Sequence, residues 1–494
     1  MKKNKIAIGI FLSLTLTMLF ISGCTPLVES LTVQSNTDTE SKTTEDFLPT
    51  ATVHEAEIVT DKEAFVARAE NSSAGDPFMP EVGNLGYDVQ NYAVQITLDP
   101  GTYWLESVVD IEMITTQDHL WQISLDMIGF QIDEVLVNQE EVDYFRLNKK
   151  LYVDLPQETN SGEKLNISIR YSGEPVQEMS AYVPFIDNLG IQFREDMLYI
   201  VSEPDGTRYW MPVNDHPLDK ASYAMEITVP QPYTAVSNGQ LLDTTIDGNQ
   251  TTYYWENKEP LASALVTIAV GEYQRIESVS PQGIVLRSYV TMETAQDFQT
   301  LQPQIGEMID WMSDLFGAYP FSEFGYVEVS DIGASLETQS MVIMSESAIL
   351  DESVLCHEMA HMWFGDWVNL NSWSEIWRNE GFATYVSYMW ENRENPAQLD
   401  DTMEFIAIGL QEDPHDFPLN NPPAEDMFGR DSYYKGALLV HQLRKQMGDD
   451  AFFSGLKTYF EQYGGSAASD ADFQAIMEEA GGSSLDDFFT SWFE

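Results

Sequence analysis

The chain has 494 residues, which is enough for two or three domains. Its formal net charge is −56, with 80 acidic against 24 basic residues, which excludes a protein that binds nucleic acid through a basic surface. The apolar content of 43% is typical of folded domains and excludes a wholly disordered chain.

The amino terminus has the pattern of an export signal. Lysines at three of the first five positions precede an apolar run over residues 6–21, and small residues stand directly before Cys24. The run is shorter than a membrane span, which needs about 20 apolar residues. The pattern is similar to a bacterial lipobox, so we predict a lipoprotein signal peptide over residues 1–23 and lipid attachment to Cys24. An ordinary secretory signal with an incidental cysteine is the alternative.

This signal predicts an exported protein, held by lipid on the extracytoplasmic face of a bacterial cell membrane. Residues 24–80 are rich in Ser, Thr, Asp and Glu and lack apolar periodicity, so we predict a flexible acidic tether there. The chain has two cysteines, and lipidation of Cys24 would leave Cys356 without a disulfide partner in the mature protein.

From residue 81 to residue 275 the sequence predicts a β-rich domain. Apolar and polar residues alternate with a period of two, and Gly, Asn, Asp and Pro separate the alternating runs. Half-buried strands are predicted over residues 92–98, 108–113, 121–127, 150–155 and 165–171. We predict an antiparallel β-sandwich or a saddle-shaped sheet.

From residue 276 to residue 494 helical spacing becomes dominant. Apolar residues recur at helical intervals over residues 295–316, 451–460, 471–480 and 485–493. The chain as a whole is therefore predicted to be a multidomain α+β protein with a β domain followed by a mainly helical one.

The second region contains an H-E-x-x-H array formed by His357, Glu358 and His361. On a helix, residues four apart share one face, so both imidazoles can reach one metal ion while Glu358 lies beside them. Two neutral nitrogen ligands, an open coordination position and a carboxylate base are what a zinc peptidase requires. After eighteen intervening residues, within N-E-G-F-A, Glu380 offers a third ligand.

The joint pattern resembles the aminopeptidase N-type zinc metallopeptidases, a family that also includes the leukotriene hydrolase. The resemblance implies a thermolysin-like, mixed α/β catalytic domain and one zinc ion per chain, bound by His357, His361 and Glu380. It also implies hydrolysis of the first residue from peptides with a free amino terminus, with Glu358 as the general base.

The same resemblance implies two carboxylates that bind the amino group of the substrate. Glu337 lies in G-A-S-L-E-T, where the family has G-x-M-E-N, and Glu203 lies in I-V-S-E, where the family has T-Q-x-E. The match is partial, because Val201, Leu336 and Thr338 depart from the family pattern. The structural alternatives are a carboxylate at the rim for Glu337 and one in a surface turn for Glu203.

The segment D-S-Y-Y-K-G is similar to the family's Y-x-K-G stretch and places the catalytic phenol at Tyr433. Such a phenol donates a hydrogen bond to the oxyanion in a site that excludes water. A packed tyrosine with a solvated hydroxyl group is the alternative.

Two residues near this chemistry are predicted not to bind metal. Cys356 projects about 100° away from His357 around the helix, so we interpret it as a buried apolar residue. His216 is interpreted as a loop histidine. Larger members of the family continue into a further helical domain, so we predict a short form whose cleft is open or covered by another subunit.

Other function classes compete with the aminopeptidase. A thermolysin-like zinc endopeptidase would share the metal site but not the amino anchor, and a non-catalytic peptide-binding surface lipoprotein would keep the fold without turnover. No residue selects for the epoxide hydrolysis of the leukotriene hydrolase. The preferred amino-terminal residue, the physiological substrate and the oligomeric state do not follow from the sequence.

Overall fold

Residues 73–493 are described by the structure, a computed structural model. The predicted signal peptide, Cys24 and most of the predicted tether lie outside these described residues. Within residues 73–493, no helix has both the length and the apolar character needed to cross a membrane.

The described part of the first region, residues 73 to 271, contains fifteen strands. They are β1 (Tyr87–Thr97), β2 (Leu105–Thr115), β3 (Leu120–Asp126), β4 (Gln131–Val137), β5 (Glu140–Glu141), β6 (Tyr144–Leu147), β7 (Lys150–Thr159), β8 (Lys164–Gly173), β9 (Gly190–Phe193), β10 (Leu198–Val201), β11 (Lys220–Pro230), β12 (Thr234–Ser237), β13 (Gln240–Asp247), β14 (Gln250–Ala262) and β15 (Ile268–Gly271).

These strands form an eight-stranded sheet in the order β13-β14-β11-β1-β2-β8-β4-β5, a three-stranded sheet β3-β7-β6 and a four-stranded sheet β12-β15-β10-β9. Alternate residues of β11 are buried, as the period-two pattern requires. The predicted β-rich domain is confirmed, and its pairing is antiparallel except between β1 and β11. These two strands are parallel, with Ile96 opposite Ile227, because the chain makes a long excursion before it returns beside its first strand.

The second region combines a mixed sheet with eight helices in the described residues. Its strands are β16 (Gln274–Val279), β17 (Val285–Val290), β18 (Glu323–Val329), β19 (Met341–Ser345), β20 (Asn369–Leu370) and β21 (Ala467–Ala468). Its helices are α1 (Ala295–Phe316), α2 (Glu352–Ala360), α3 (Trp377–Glu391), α4 (Ala397–Glu412), α5 (Gly436–Met447), α6 (Asp449–Tyr463), α7 (Asp470–Gly481) and α8 (Asp486–Phe493).

The mixed sheet has the order β16-β17-β18-β19, antiparallel between β16 and β17 and parallel in its other pairs. The predicted domain boundary after residue 275 falls inside β16, which begins at Gln274. The structural change from the first region to the second therefore lies between β15 and β16. The predicted helices over residues 295–316, 451–460, 471–480 and 485–493 coincide with α1, α6, α7 and α8.

Residues 73–84, which we call the strap, precede the first strand. The sequence places residues up to 80 in a flexible tether, but within the strap Asp76, Met79 and Val82 are buried. The Lys150 ammonium group donates hydrogen bonds to the Gly83 carbonyl group (2.8 Å) and the Asn84 side chain (3.0 Å). The strap has no apolar periodicity, which is why the sequence pattern did not reveal that it packs against the fold.

Candidate active site

The H-E-x-x-H array lies on α2. The carboxylate of Asp351 caps the helix by accepting hydrogen bonds from the amides of Ser353 and Val354. His357 and Glu358 lie in the last turns of α2, and His361 follows directly with helical backbone angles. Both imidazoles therefore project from the same face, as the four-residue spacing predicts.

The third candidate ligand comes from α3. His357 Nε2 lies 3.2 Å from Glu380 Oε2, and His361 Nε2 lies 3.2 Å from His357 Nε2 and 3.6 Å from Glu380 Oε2. A tetrahedral zinc ion with bonds of about 2.0–2.2 Å separates its ligand atoms by roughly 3.3–3.6 Å. The triangle of His357, His361 and Glu380 therefore fits one zinc ion.

Both histidines are neutral, as metal ligands must be. Burial lowers the pKa of His357 to about 4 and lowers the pKa of His361 well below its usual range. The His361 ring lies with Nδ1 3.1 Å from the Phe364 carbonyl oxygen. Donation of the Nδ1 proton to that oxygen leaves the Nε2 lone pair for a metal.

Four glutamates gather around this triangle: Glu203, Glu337, Glu358 and Glu380 are each 2–6% exposed. Among residues 73–493, none of them forms an ion pair with a lysine or an arginine; only Glu337 and Glu380 lie within ion-pair distance of a basic side chain, and in both cases it is a histidine. Burial, followed by the neighbouring carboxylates, raises the pKa of Glu203, Glu358 and Glu380 well above the usual range. Ionising all four carboxyl groups in this buried place requires cations, and one divalent metal ion would neutralise only part of their charge.

Glu203 and Glu337 come from different regions of the fold and meet beside the metal triangle. Burial raises the pKa of both carboxyl groups, and each carboxyl group also shifts the pKa of the other. Glu337 Oε1 is buried and has no hydrogen-bond partner among the described residues, and it lies 3.8 Å from His361 Nδ1. The pair is therefore placed to accept a cationic group next to the metal ligands.

Three positions that depart from the family pattern are also buried around this pair. Val201 ends β10 and is 0% exposed, so it presents no polar group at that place. Leu336 pairs with Ile343 through two main-chain hydrogen bonds. The Thr338 hydroxyl group donates to the Met341 carbonyl oxygen at 2.7 Å, so it supports the turn between Glu337 and β19.

Tyr433 lies in a π-helical turn, Asp431–Lys435, directly before α5; such turns occur frequently at functional sites. Its phenol lies beside the Glu380 carboxyl group, whose pKa it acts to lower against the effect of burial, and its ring stacks on His357 with a centroid distance of 5.8 Å. Burial and the surrounding carboxylates raise the pKa of Tyr433 well above its usual range, so the phenol keeps its proton and can donate it in a hydrogen bond.

A close backbone approach holds Tyr433 beside Glu380. A Cβ atom on Gly381 would lie 2.7 Å from main-chain atoms of Gly436, and a Cβ atom on Gly436 would lie 2.8 Å from Gly381 Cα. Glycine at both positions lets α3 and the start of α5 touch.

Asp366 is a buried acidic residue near the site that sequence reasoning did not single out. It is 0% exposed, and neither carboxylate oxygen has a hydrogen-bond partner among the described residues. Burial raises its pKa, with further contributions from Glu337 and opposition from Lys220. Its position in the sequence could have identified Asp366 as a residue near the site, since it follows the metal array closely, in F-G-D-W.

The two residues predicted not to bind metal lie outside the candidate ligand groups that the described residues form. Cys356 is a free, fully buried thiol, as expected of an apolar packing residue. His216 lies in the loop before β11, as interpreted from the sequence, and within that loop it is buried, with its Nε2 3.3 Å from Asp76 Oδ2.

The fold combines a β-rich region with a mainly helical region, and the helical region holds the H-E-x-x-H metal triangle. These features define the class of protein, a two-domain zinc metallopeptidase. Two family descriptions match the chain: the peptidase M1 N-terminal domain over residues 88–265 and the peptidase family M1 domain over residues 303–492. The chain belongs to the M1 family of zinc metallopeptidases, which confirms the resemblance to the aminopeptidase N-type enzymes.

Solved and curated relatives agree with this assignment. An M1 zinc metallopeptidase from Deinococcus radiodurans, solved as a mutant bound to a Tyr-Ser-Ala substrate, superposes with a TM-score of 0.80 at 27% identity, covering 85% of this chain and 97% of that one. "Aminopeptidase M1-B" of Oryza sativa subsp. japonica is 28% identical over 59% of this chain and 36% of its own. "Probable aminopeptidase 1" of Sulfurisphaera tokodaii is 25% identical over 82% of this chain and 52% of its own. The chain thus spans about half or less of these curated relatives.

Proposed function

We propose that this protein is a zinc-dependent aminopeptidase that removes the first residue from peptides with a free amino terminus. The observation that carries the proposal is the buried pair of Glu203 and Glu337 beside the metal triangle. Neither carboxyl group has a lysine or arginine partner within residues 73–493, so the pair selects for a cation brought by the substrate. The ammonium group of a free amino terminus is such a cation, and an internal peptide bond has none.

One zinc ion per chain fits the donor set of His357, His361 and Glu380, which is one carboxylate oxygen and two neutral imidazole nitrogens. When bound, zinc polarises the scissile carbonyl group and makes water a stronger nucleophile near neutral pH.

The chain's own groups perform the remaining tasks. Glu203 and Glu337 bind the ammonium group, and this contact fixes which peptide bond meets the metal ligands. Glu358 takes a proton from the attacking water and later delivers it to the departing amine. The Tyr433 phenol donates a hydrogen bond to the oxygen on which negative charge develops.

The relatives support the same substrate class. The curated relatives are aminopeptidases, and the Deinococcus enzyme was crystallised with a tripeptide. The site residues that would perform the reaction here come from both regions of this chain.

A panel of fluorogenic aminoacyl amides tests the proposal. We expect turnover of at least one amide, loss of turnover after removal of metal with a chelator, and recovery on addition of one equivalent of zinc. The Glu358→Gln protein, purified in the same way, controls for contaminating peptidases. Turnover that survives both the chelator and this substitution would contradict the proposal.

We further propose that the protein is exported and attached by lipid at Cys24 to the outer face of a bacterial cell membrane. The support is the sequence alone: a basic start, a short apolar run, and small residues before Cys24. In a bacterial host, the membrane fraction should contain a mature chain that begins with a lipid-modified Cys24 by mass spectrometry, and Cys24→Ser should release the protein from that fraction. An unmodified Cys24 in the mature chain would contradict the proposal.

A further inference from the structure

The strap precedes the part of the chain that the family description covers, which begins at residue 88. It nevertheless reaches the loop that joins the two helices of the metal triangle. Asp76, in the strap, is 4% exposed, and its carboxylate has four hydrogen-bond partners. Two come from its own turn, the amides of Phe78 (2.7 Å) and Met79 (3.1 Å).

The other two contacts of Asp76 join distant parts of the fold. Asp76 Oδ2 lies 3.3 Å from Nε2 of His216, which belongs to the β-rich region. The same oxygen accepts the amide proton of Trp373 at 3.1 Å, and Trp373 lies in the catalytic region just before α3. Burial alone would raise the pKa of Asp76, but the hydrogen bonds from His216 and from the amides outweigh burial and lower the pKa to about 2. Asp76 is therefore ionised, and its contacts are charge-assisted.

From Asp76 a continuous series of main-chain hydrogen bonds leads to the metal triangle. The amide of Ile376 donates to the Trp373 carbonyl oxygen at 3.3 Å, and the amide of Glu380 donates to the Ile376 carbonyl oxygen at 3.1 Å. The position of the Glu380 backbone thus depends on the turn that Asp76 holds.

Apolar contacts form a second connection between the strap and the active site. Met79 and Val82 of the strap belong to one buried cluster with Trp373, Ile376 and Met427, together with Ala264 and Leu370. The Met427 carbonyl oxygen accepts the Ser432 hydroxyl group at 2.7 Å, and Ser432 directly precedes Tyr433. The strap therefore contacts the segments that lead to Glu380 and to Tyr433.

We propose that the strap is part of the catalytic apparatus and that Asp76 is a positioning residue, which holds the segments carrying Glu380 and Tyr433 in register with α2. Within residues 73–493, Asp76 has no hydrogen bond or ion pair with His357, His361 or Glu380. Its effect on turnover rests on the proposed function, but its effect on metal geometry does not.

The test compares Asp76→Ala with Asp310→Ala in the full chain. Asp310 is a matched control because it is also a buried carboxylate that accepts from a hydroxyl group, that of Ser280 (2.7 Å), and from a main-chain amide, that of Gln282 (2.8 Å). It lies in α1, outside the cluster that contains the strap. Both substitutions should lower the melting temperature.

We expect only Asp76→Ala to lower kcat, by about 10–100-fold with KM nearly unchanged, because small misplacement of catalytic groups is that costly. Of the two aspartate variants, only Asp76→Ala should also shift the visible absorption bands of the cobalt-substituted protein. These bands report ligand geometry independently of turnover. Met79→Ala, a milder change in the same strap, should shift the bands in the same direction and serves if Asp76→Ala does not fold.

All variants are measured below their melting temperatures. The proposal would be overturned if the strap variants had the same kcat and the same cobalt spectrum as Asp310→Ala. If the parent protein hydrolyses no aminoacyl amide, the proposed function fails, while the cobalt spectra still decide whether the strap positions the ligands.

Discussion

The metal triangle and the proposed amine-binding pair, Glu203 and Glu337, are neighbours, but the chain builds them differently. His357, His361 and Glu380 come from two consecutive helices, and the spacing within α2 by itself places two of the three ligands. Glu203 follows β10 of the first region and Glu337 precedes β19 of the second, so their contact exists only when the two regions pack together. The comparison teaches that metal binding and substrate selection should be separable by substitution.

Glu358→Gln should have the largest effect. It removes the proton acceptor and leaves the three ligands in place, so we expect kcat to fall by about 10³–10⁴-fold, the upper range for loss of general acid–base catalysis. Zinc content measured by atomic absorption should remain that of the parent. Glu346→Gln, an exposed glutamate shortly before α2, is the control. Near-parental kcat in Glu358→Gln would refute the assigned base.

Tyr433→Phe should come next. It removes one hydrogen-bond donor to the developing oxyanion, and loss of such a donor costs about 10²–10³-fold in kcat. KM should change little, because the ground-state substrate does not depend on this bond. Tyr434→Phe is the adjacent, half-buried control. An equal loss of kcat in both variants would assign the effect to packing rather than to the phenol.

Glu337→Gln should act on the substrate and leave the metal in place. It removes a charge-assisted contact worth about 1.5–3 kcal/mol, which corresponds to a loss of roughly 10–100-fold in kcat/KM for peptides with a free amino terminus. Zinc affinity, measured by competition with a chelator, should stay within a small factor of the parent. Loss of zinc in this variant would show that Glu337 also supports metal binding, so that metal binding and substrate selection are not separable by substitution.

Cys356→Ala should have the smallest effect. The thiol is buried next to His357 in sequence but belongs to the apolar core, so zinc content and kcat should not change. The free energy of unfolding should fall by about 1 kcal/mol, the cost of removing one buried group of this size. A change in zinc content would make Cys356 a participant in the metal site.

The sequence predicted the metal site because helical spacing is a local property. For the same reason, periodicity predicted strands β1, β2, β3, β7 and β8 and helices α1, α6, α7 and α8. Helix α3 is buried on nearly every side, so it has no amphipathic period. Glu380 was assigned as a ligand from its distance to the array and from the family motif.

Long-range packing could not be predicted from local patterns. The parallel pairing of β1 with β11, the burial of Asp76 and Met79 and the buried carboxylate of Asp366 all depend on segments far apart in the chain. The close approach of Gly381 and Gly436 is likewise a contact between two helices. None of these contacts could be predicted from periodicity, because the sequence of one segment does not indicate which distant segment packs against it.

The most direct test of the central claim uses one peptide in two forms, with a free and with an acetylated amino terminus, incubated with the zinc-loaded protein and followed by mass spectrometry. If Glu203 and Glu337 select the amino group, the free peptide is shortened by one residue at a time and the acetylated form remains intact. Internal cleavage of the acetylated peptide at a comparable rate would identify an endopeptidase, and no cleavage of either form would identify a binding protein; either result would contradict the account.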